Sequence, residues 1–252
     1  MIDDEDEVLL ALAKALGGFL PYIGKKSNLP HLLKPLEALC TVEEGAVREE
    51  AAKSINKVLS GVKVKDFEDE LLSLFSRLIN GEWFTSKISA TLIMPSIYPN
   101  VSSHGQKQLF KLYAPLCKDN IPQVRKAAAW CLNELIKFIP AAPEAELLEI
   151  FEVFQKDPHD MVKMQGVDSC INFGHALSSS KVQTYIVPYL KTYVEDRSWR
   201  LRYLVATKIL DLAKAFGEEL TQSKIVPHYC NFLTDPESEV RTAAASQLND
   251  FS

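Results

Sequence analysis

Seven positions in this chain fall 38 or 39 residues apart, and that interval constrains the fold more than any other feature. They are Val8, Val47, Thr85, Val124, Val162, Leu201 and Val240. Five residues beyond each stands a small or branched residue: Ala13, Ala52, Ala90, Ala129, Val167, Ala206 and Ala245. Eight beyond stands Leu16, Ile55, Ile93, Leu132, Cys170, Ile209 or Leu248. Self-similarity at a period of about 20–50 residues marks an array of one stacked supersecondary unit. A unit of that size cannot bury its own apolar face, so the core forms between copies and the functional surface is a repeated edge.

One copy shows the physics. In residues 30–60, Leu32, Leu33, Leu36 and Leu39 recur at helical spacing, which predicts a first amphipathic helix. The polar string TVEEG ends in glycine and suits a turn. Val47, Ala51, Ala52, Ile55, Val58 and Leu59 then form a second helical stripe. The fold class is therefore all-α, an α-α superhelix of antiparallel helix hairpins. The register divides residues 1–252 into one array: a partial repeat at 1–29 and repeats at 30–66, 67–105, 106–143, 144–180, 181–221 and 222–252. Neither end carries an adapted polar capping repeat, so the chain reads as a slice of a longer solenoid. Pro35, Pro188 and Pro227 recur twelve or thirteen residues before the register position, inside the first helix. Proline removes a helical hydrogen bond, so these first helices should be bent.

Two polar positions also repeat. Asp3, Asp119, Asp157, Asp196 and Asp235 precede the register residue by five, with Asn80 in a sixth copy. Arg48, Arg125, Lys163, Arg202 and Arg241 follow it directly. The acid is placed to cap the turn and the entrance of the second helix. The basic residue is placed to reach the acid of a neighbouring copy, making an acid–base ladder whose role is repeat register.

Composition narrows the class. No run of about eighteen apolar residues exists, so there is no transmembrane helix, and the acidic start MIDDEDE is unlike a signal peptide. Five scattered cysteines, with no CxxC, read as reduced thiols and place the chain in the cytosol or nucleus. A net charge of −5 opposes nucleic-acid binding. The five histidines never take metal-ligand spacing, and the string Asp157-Pro158-His159-Asp160 sits where each repeat turns. No phosphate-binding loop or nucleophile motif occurs, so no catalytic residue, cofactor or metal is expected.

The pattern Asp–x–x–x–x–Val–Arg–x–x–Ala–Ala–x–x–Leu, with a proline-bent first helix, resembles the HEAT repeat. Its constant length, together with DEDEVLLALA (4–13), WFTS (83–86), PQVRKAAA (122–129) and EDRSWRLRY (195–203), resembles the scaffold (A) subunit family of type 2A serine/threonine protein phosphatases. The match covers the whole chain and corresponds to about the second to seventh repeats of that family. The resemblance implies a non-enzymatic scaffold whose intra-repeat turns bind regulatory (B-type) subunits. It implies that the catalytic subunit binds only repeats absent here. By position it assigns partner contact to Trp83, Phe84, Asn120, Pro122 and Gln123 and to Ser198, Trp199 and Arg200. Asn120 stands where that family is usually acidic, and Lys126 where it usually has arginine.

The turns themselves are acidic. Residues 3–7, Glu43, Glu44, Glu82, Asp119, Asp157, Asp160, Glu195, Asp196, Asp235, Glu237 and Glu239 face only Lys118, Lys156 and Arg197. Such a row should attract a partner with a basic strip, which adds Glu43, Glu44, Asp119, Asp157, Asp235 and Glu237 to the candidate contacts. Trp83 and Trp199 lie in polar turns and read as exposed interface anchors, whereas Trp130, inside a helix, reads as packed between helices. Two other readings compete: a nuclear-transport-type HEAT solenoid wrapping basic protein cargo, and a HEAT-like DNA-repair glycosylase. Even repeats without long inserted turns oppose the first; the lack of a basic stripe opposes the second.

Overall fold

The structure is a computed structural model that describes residues 5–139 and 144–251; the register aspartate Asp3 lies outside them. Every regular element among the described residues is helical. The chain forms two compact units, Met1–Cys131 and Leu132–Ser252.

In the first unit the helices are α1 (Asp6–Leu16), α2 (Leu29–Leu39), α3 (Gly45–Ser60), α4 (Glu68–Ile79), α5 (Phe84–Ile97), α6 (Ser103–Tyr113) and α7 (Pro122–Ile136), the last containing the unit boundary. Two layers result: α2, α4 and α6 pack in series as first helices, and α1, α3 and α5 pack in series as second helices. The hairpins α2–α3 and α4–α5 close as the stripes predict. In the next hairpin the Tyr113 hydroxyl donates to the Ala128 carbonyl of α7 at 2.7 Å.

The second unit holds α8 (Glu144–Gln155), α9 (Asp160–Lys163), α10 (Gln165–Ala176), α11 (Ser179–Lys181), α12 (Val187–Val194), α13 (Trp199–Thr207), α14 (Ile209–Leu220), α15 (Val226–Phe232), α16 (Ser238–Ser246) and α17 (Leu248–Phe251). Second helices again pack on one another, α10 on α14 and α13 on α16. Gly174 permits the α10–α14 approach: a Cβ there would lie 2.8 Å from the Ala215 Cβ. Gly217, at φ 77°, breaks α14 so that the chain passes from one repeat to the next without a loop.

The register governs burial. Val47, Val124, Val162, Leu201 and Val240 are all fully buried, as are Ala90, Ala206, Ile55, Ile93 and Ile209 at the later positions. Each such aliphatic side chain stabilises by roughly 2 kcal/mol relative to exposure, more than a surface ion pair contributes. The pattern fails in the outermost hairpins, where Val8 is 49 % and Leu248 50 % exposed. Among the described residues, these two stripes have a neighbouring hairpin on one side only.

Two of the three prolines follow a widened helical turn. A π-helical turn, Val182–Ile186, precedes Pro188, and another, Thr221–Ile225, precedes Pro227. Proline removes one donor and crowds the carbonyl four residues back, and a wider turn relieves both effects. Pro35 stays within α2, with a 3₁₀ turn (Lys26–Asn28) just before that helix.

Candidate protein-binding surface

The turns share one architecture, built by the repeated acid and base. In four of them a carboxylate Oδ1 accepts from the backbone N–H two residues on. The pairs are Asp119 with Ile121 (2.9 Å), Asp157 with His159 (2.9 Å), Asp196 with Ser198 (2.8 Å) and Asp235 with Glu237 (2.9 Å). This side-chain turn presents the next helix with a satisfied entrance. The arginine one residue past the register then folds back under its own turn. Arg125 donates to the Asp119 carbonyl at 2.7 Å, Arg202 to that of Asp196 at 2.8 Å, and Arg241 to that of Asp235 at 2.6 Å. Arg48 does the same with the carbonyls of Val42 and Glu43.

In three places a basic group also reaches the next turn. Arg202 makes a two-pronged pair with Asp235, its Nε and Nη2 lying 2.8 and 2.9 Å from the carboxylate oxygens. Lys163 reaches Asp196 at 3.3 Å. In the first unit Lys87 reaches Asp119 at 2.8 Å. The ladder expected from spacing exists in part: two rungs join turns in the second unit, and in the first unit one does, where the Thr85 copy has Ser86 in the basic position and Lys87 supplies the rung instead. The rungs are sheltered. The Arg202 and Asp235 side chains are only 13 % and 7 % exposed, so the forked, charge-assisted pair is stronger than a solvated one.

The carboxylates titrate accordingly. Arg202 holds the Asp235 carboxyl below its ordinary range, against an opposing push from burial. At Asp119 burial pushes upward, but the Lys87 ammonium and the Ile121 N–H outweigh it and the net direction is down. The Asp235 carboxylate in turn raises Arg202.

This architecture divides the candidate contacts into two groups. Asp157 and Asp235 are buried and Asp119 is largely so, their oxygens engaged within the chain. These three brace the turns rather than present charge. Glu43, Glu44, Trp83, Phe84, Asn120, Gln123, Arg200 and Glu237 are exposed, and Pro122, Ser198 and Trp199 are half-buried. The row of acidic turns is thus uneven. In the first unit the exposed tips carry Glu5, Asp6, Glu7, Glu43, Glu44 and Glu82 against Lys118. In the second, Asp160, Glu195, Glu237 and Glu239 are matched by Lys156, Arg197, Arg200 and Arg241.

The two tryptophans occupy the same repeat position, two residues before Thr85 and Leu201. Trp83 is 66 % exposed, with Phe84 beside it. Trp199 is instead folded onto its own hairpin. The Arg200 guanidinium lies 4.9 Å over its ring, and Tyr203 meets it edge-on at 6.4 Å. It borders an open groove of about 780 Å³ with Lys163, Glu195 and Arg197. Trp130 does not pack between helices as expected; it is 37 % exposed. It sits six residues past the register, where Lys53, Thr207 and Ser246 of other copies stand, so the polar character of those copies was the signal to read.

Hairpin repetition, register burial and braced turns together define an α-solenoid of the HEAT-repeat class. The HEAT repeat model matches residues 109–139 and 225–252. Solved repeat proteins share the fold alone. An engineered protein aligns over 87 % of this chain and 98 % of its own at TM-score 0.54 and 16 % identity. A designed armadillo repeat protein aligns over 87 % and 100 % at TM-score 0.51 and 16 % identity.

In sequence, the chain is a relative of the regulatory, A-type subunits of protein phosphatase 2A. It is 35 % identical to the A-type regulatory subunit of protein phosphatase PP2A from Schizosaccharomyces pombe, over 88 % of this chain and 38 % of that protein. With a probable PP2A regulatory subunit of Caenorhabditis elegans it shares 38 % identity over 74 % of this chain and 32 % of that one. The Dictyostelium discoideum relative, 35 % identical over 60 % of this chain and 26 % of its own, is named a protein phosphatase 2A scaffold subunit. The chain therefore spans well under half the length of these relatives.

Proposed function

We propose that this chain is a non-catalytic scaffold segment of a type 2A protein phosphatase and that it binds regulatory subunits through its intra-repeat turns. The observation that carries the reading is Trp83: a tryptophan 66 % exposed at a turn tip, next to Phe84 and among acidic neighbours. Indole and phenyl groups at a polar rim supply most of the affinity in protein interfaces, and the acidic tips steer a basic partner toward them. The names of the relatives support the assembly, and the braced turns support a rigid presenting edge. Buried thiols at Cys40, Cys117, Cys131 and Cys170 suit a reducing compartment, cytoplasmic or nuclear. The near-balanced tips of the second unit weigh against the alternative, a solenoid wrapping basic cargo along its whole edge.

The test is calorimetric titration of the chain with a recombinant regulatory subunit. Saturable binding is expected, weakened by about 2 kcal/mol in Trp83→Ala. Absence of binding, or binding indifferent to both Trp83→Ala and Phe84→Ala, overturns the reading. Hydrolysis of a phosphopeptide by the chain alone would overturn its non-catalytic part.

A further inference from the structure

Away from the turns, the second unit carries a groove of about 380 Å³ between α8 and the kinked first helix of the following repeat. Its apolar wall is formed by Phe151, Tyr185, Pro188 and Tyr189, and its rim by Glu149 and Glu152. Tyr185 is 49 % exposed. Tyr189 is held in place by Phe151, the two rings meeting edge-on at 5.3 Å and 85°. Phe151 is fixed in turn by Phe173 at 5.4 Å. The wall is thus rigid on one side and open on the other.

The rim of the groove is acidic and its wall aromatic. No cation lines it. Glu152 shares Lys156 at 2.6 Å, and Glu149 has no ion-pair partner among the described residues. Carboxylates and aromatic rings share one groove. Among side chains, the arginine guanidinium matches this set best, because it stacks on aromatic rings while its planar fork donates to carboxylates.

We propose that this groove is a second docking site, separate from the turn edge, for an extended segment of a partner protein bearing one arginine flanked by apolar residues. The arginine stacks on Tyr185 and Tyr189 and donates to Glu149, and the flanking residue covers Pro188.

The test uses the whole chain, ¹⁵N-labelled, titrated with the capped peptide acetyl-Leu-Arg-Leu-amide. Saturable shifts are expected at residues 145–152 and 184–189. Replacing arginine by citrulline should weaken binding at least tenfold, since citrulline keeps the shape and loses the charge. Glu149→Gln with Glu152→Gln should do the same while the thermal unfolding midpoint stays in place. Tyr185→Ala, an exposed position that leaves the core intact, is the second variant and should weaken binding severalfold. Equal affinity for the citrulline peptide, shifts centred on Trp83 or Trp199, or no shifts at millimolar peptide would overturn the proposal. So would a concentration-dependent dimer of the chain that Tyr185→Ala abolishes, because the occupant would then be a second copy. Binding of the regulatory subunit should be unchanged in the double glutamine variant, which keeps this site's failure distinct from that of the turn edge.

Discussion

The turns before Thr85 and before Leu201 have a tryptophan at the same position and treat it oppositely. Before Leu201 the ladder is complete: Asp196 caps Ser198, Arg202 braces the turn from beneath, and Trp199 lies under Arg200 against Tyr203. Before Thr85 the ladder is interrupted. Asn80 turns back to the Ser76 carbonyl at 2.9 Å instead of capping forward. Ser86, buried, donates to the Trp83 carbonyl at 2.7 Å where an arginine would otherwise stand. Phe84 stands where the other turn has Arg200, so no guanidinium stacks on Trp83, and its indole is 66 % exposed. The residue after the register thus decides whether the turn is braced, and the residue before it whether the indole is covered.

The largest effect should come from cutting a rung. Arg202→Met strands the buried Asp235 carboxylate and unties the carbonyls of the 196–197 turn, with an expected loss of about 3 kcal/mol in urea unfolding followed by circular dichroism. A loss below about 1 kcal/mol would place the rung with ordinary surface pairs and erase the distinction between the two turns.

Next come the tryptophans. Trp83→Ala should cost about 2 kcal/mol in affinity for the regulatory subunit, with stability changed by less than about 0.5 kcal/mol. Trp199→Ala should instead lower stability by about 1 kcal/mol, because its ring contacts are intramolecular. Identical profiles for the two variants would show that exposure does not separate their roles.

Acid should separate the turns too. A carboxyl held below its ordinary value stabilises the fold fully above that value and loses its contribution as pH falls through the depressed one. Asp235 and Asp119 are of this kind, while Asn80 cannot titrate. Below about pH 4, amide exchange should therefore rise in residues 233–241 and 119–125 before it rises in 80–86. Uniform acceleration would remove the carboxylates from the explanation. The smallest effect should come from restoring the missing acid. Asn80→Asp, with Arg48 of the preceding copy in the rung position, should stabilise by about 0.5 kcal/mol. A destabilisation would mean that the interrupted turn has a different backbone path.

Much of this was legible from spacing alone, because burial between stacked hairpins depends on period and side-chain size. Val124 and Leu201 show it directly, and the forward caps at Asp119 and Asp235 follow from their fixed distance to the helix start. The contributions that escaped are those in which a neighbour decides the outcome. Lys87 replaces the expected residue one position late, which a long flexible side chain can do and a register cannot reveal. Asp157 and Asp235 count as negative charges in the sequence but are buried by the turn they organise. Trp199 reads as exposed until Arg200 and Tyr203 are seen around it. The prolines were readable as departures from a regular helix, whereas the π-helical turns before Pro188 and Pro227 depend on how the wider turn packs.

The hairpin of Asp196 and Arg202 carries one outgoing cation, toward Asp235, and one incoming carboxylate, held by Lys163. The contact consequently has a direction, and the Lys87–Asp119 rung in the first unit runs the same way along the sequence. Duplicating or deleting one such hairpin creates a new junction that already balances, with neither an orphaned charge nor a doubled one. The rung therefore gives the chain a heritable joint, by which its length can change one hairpin at a time while each turn diverges in what it displays.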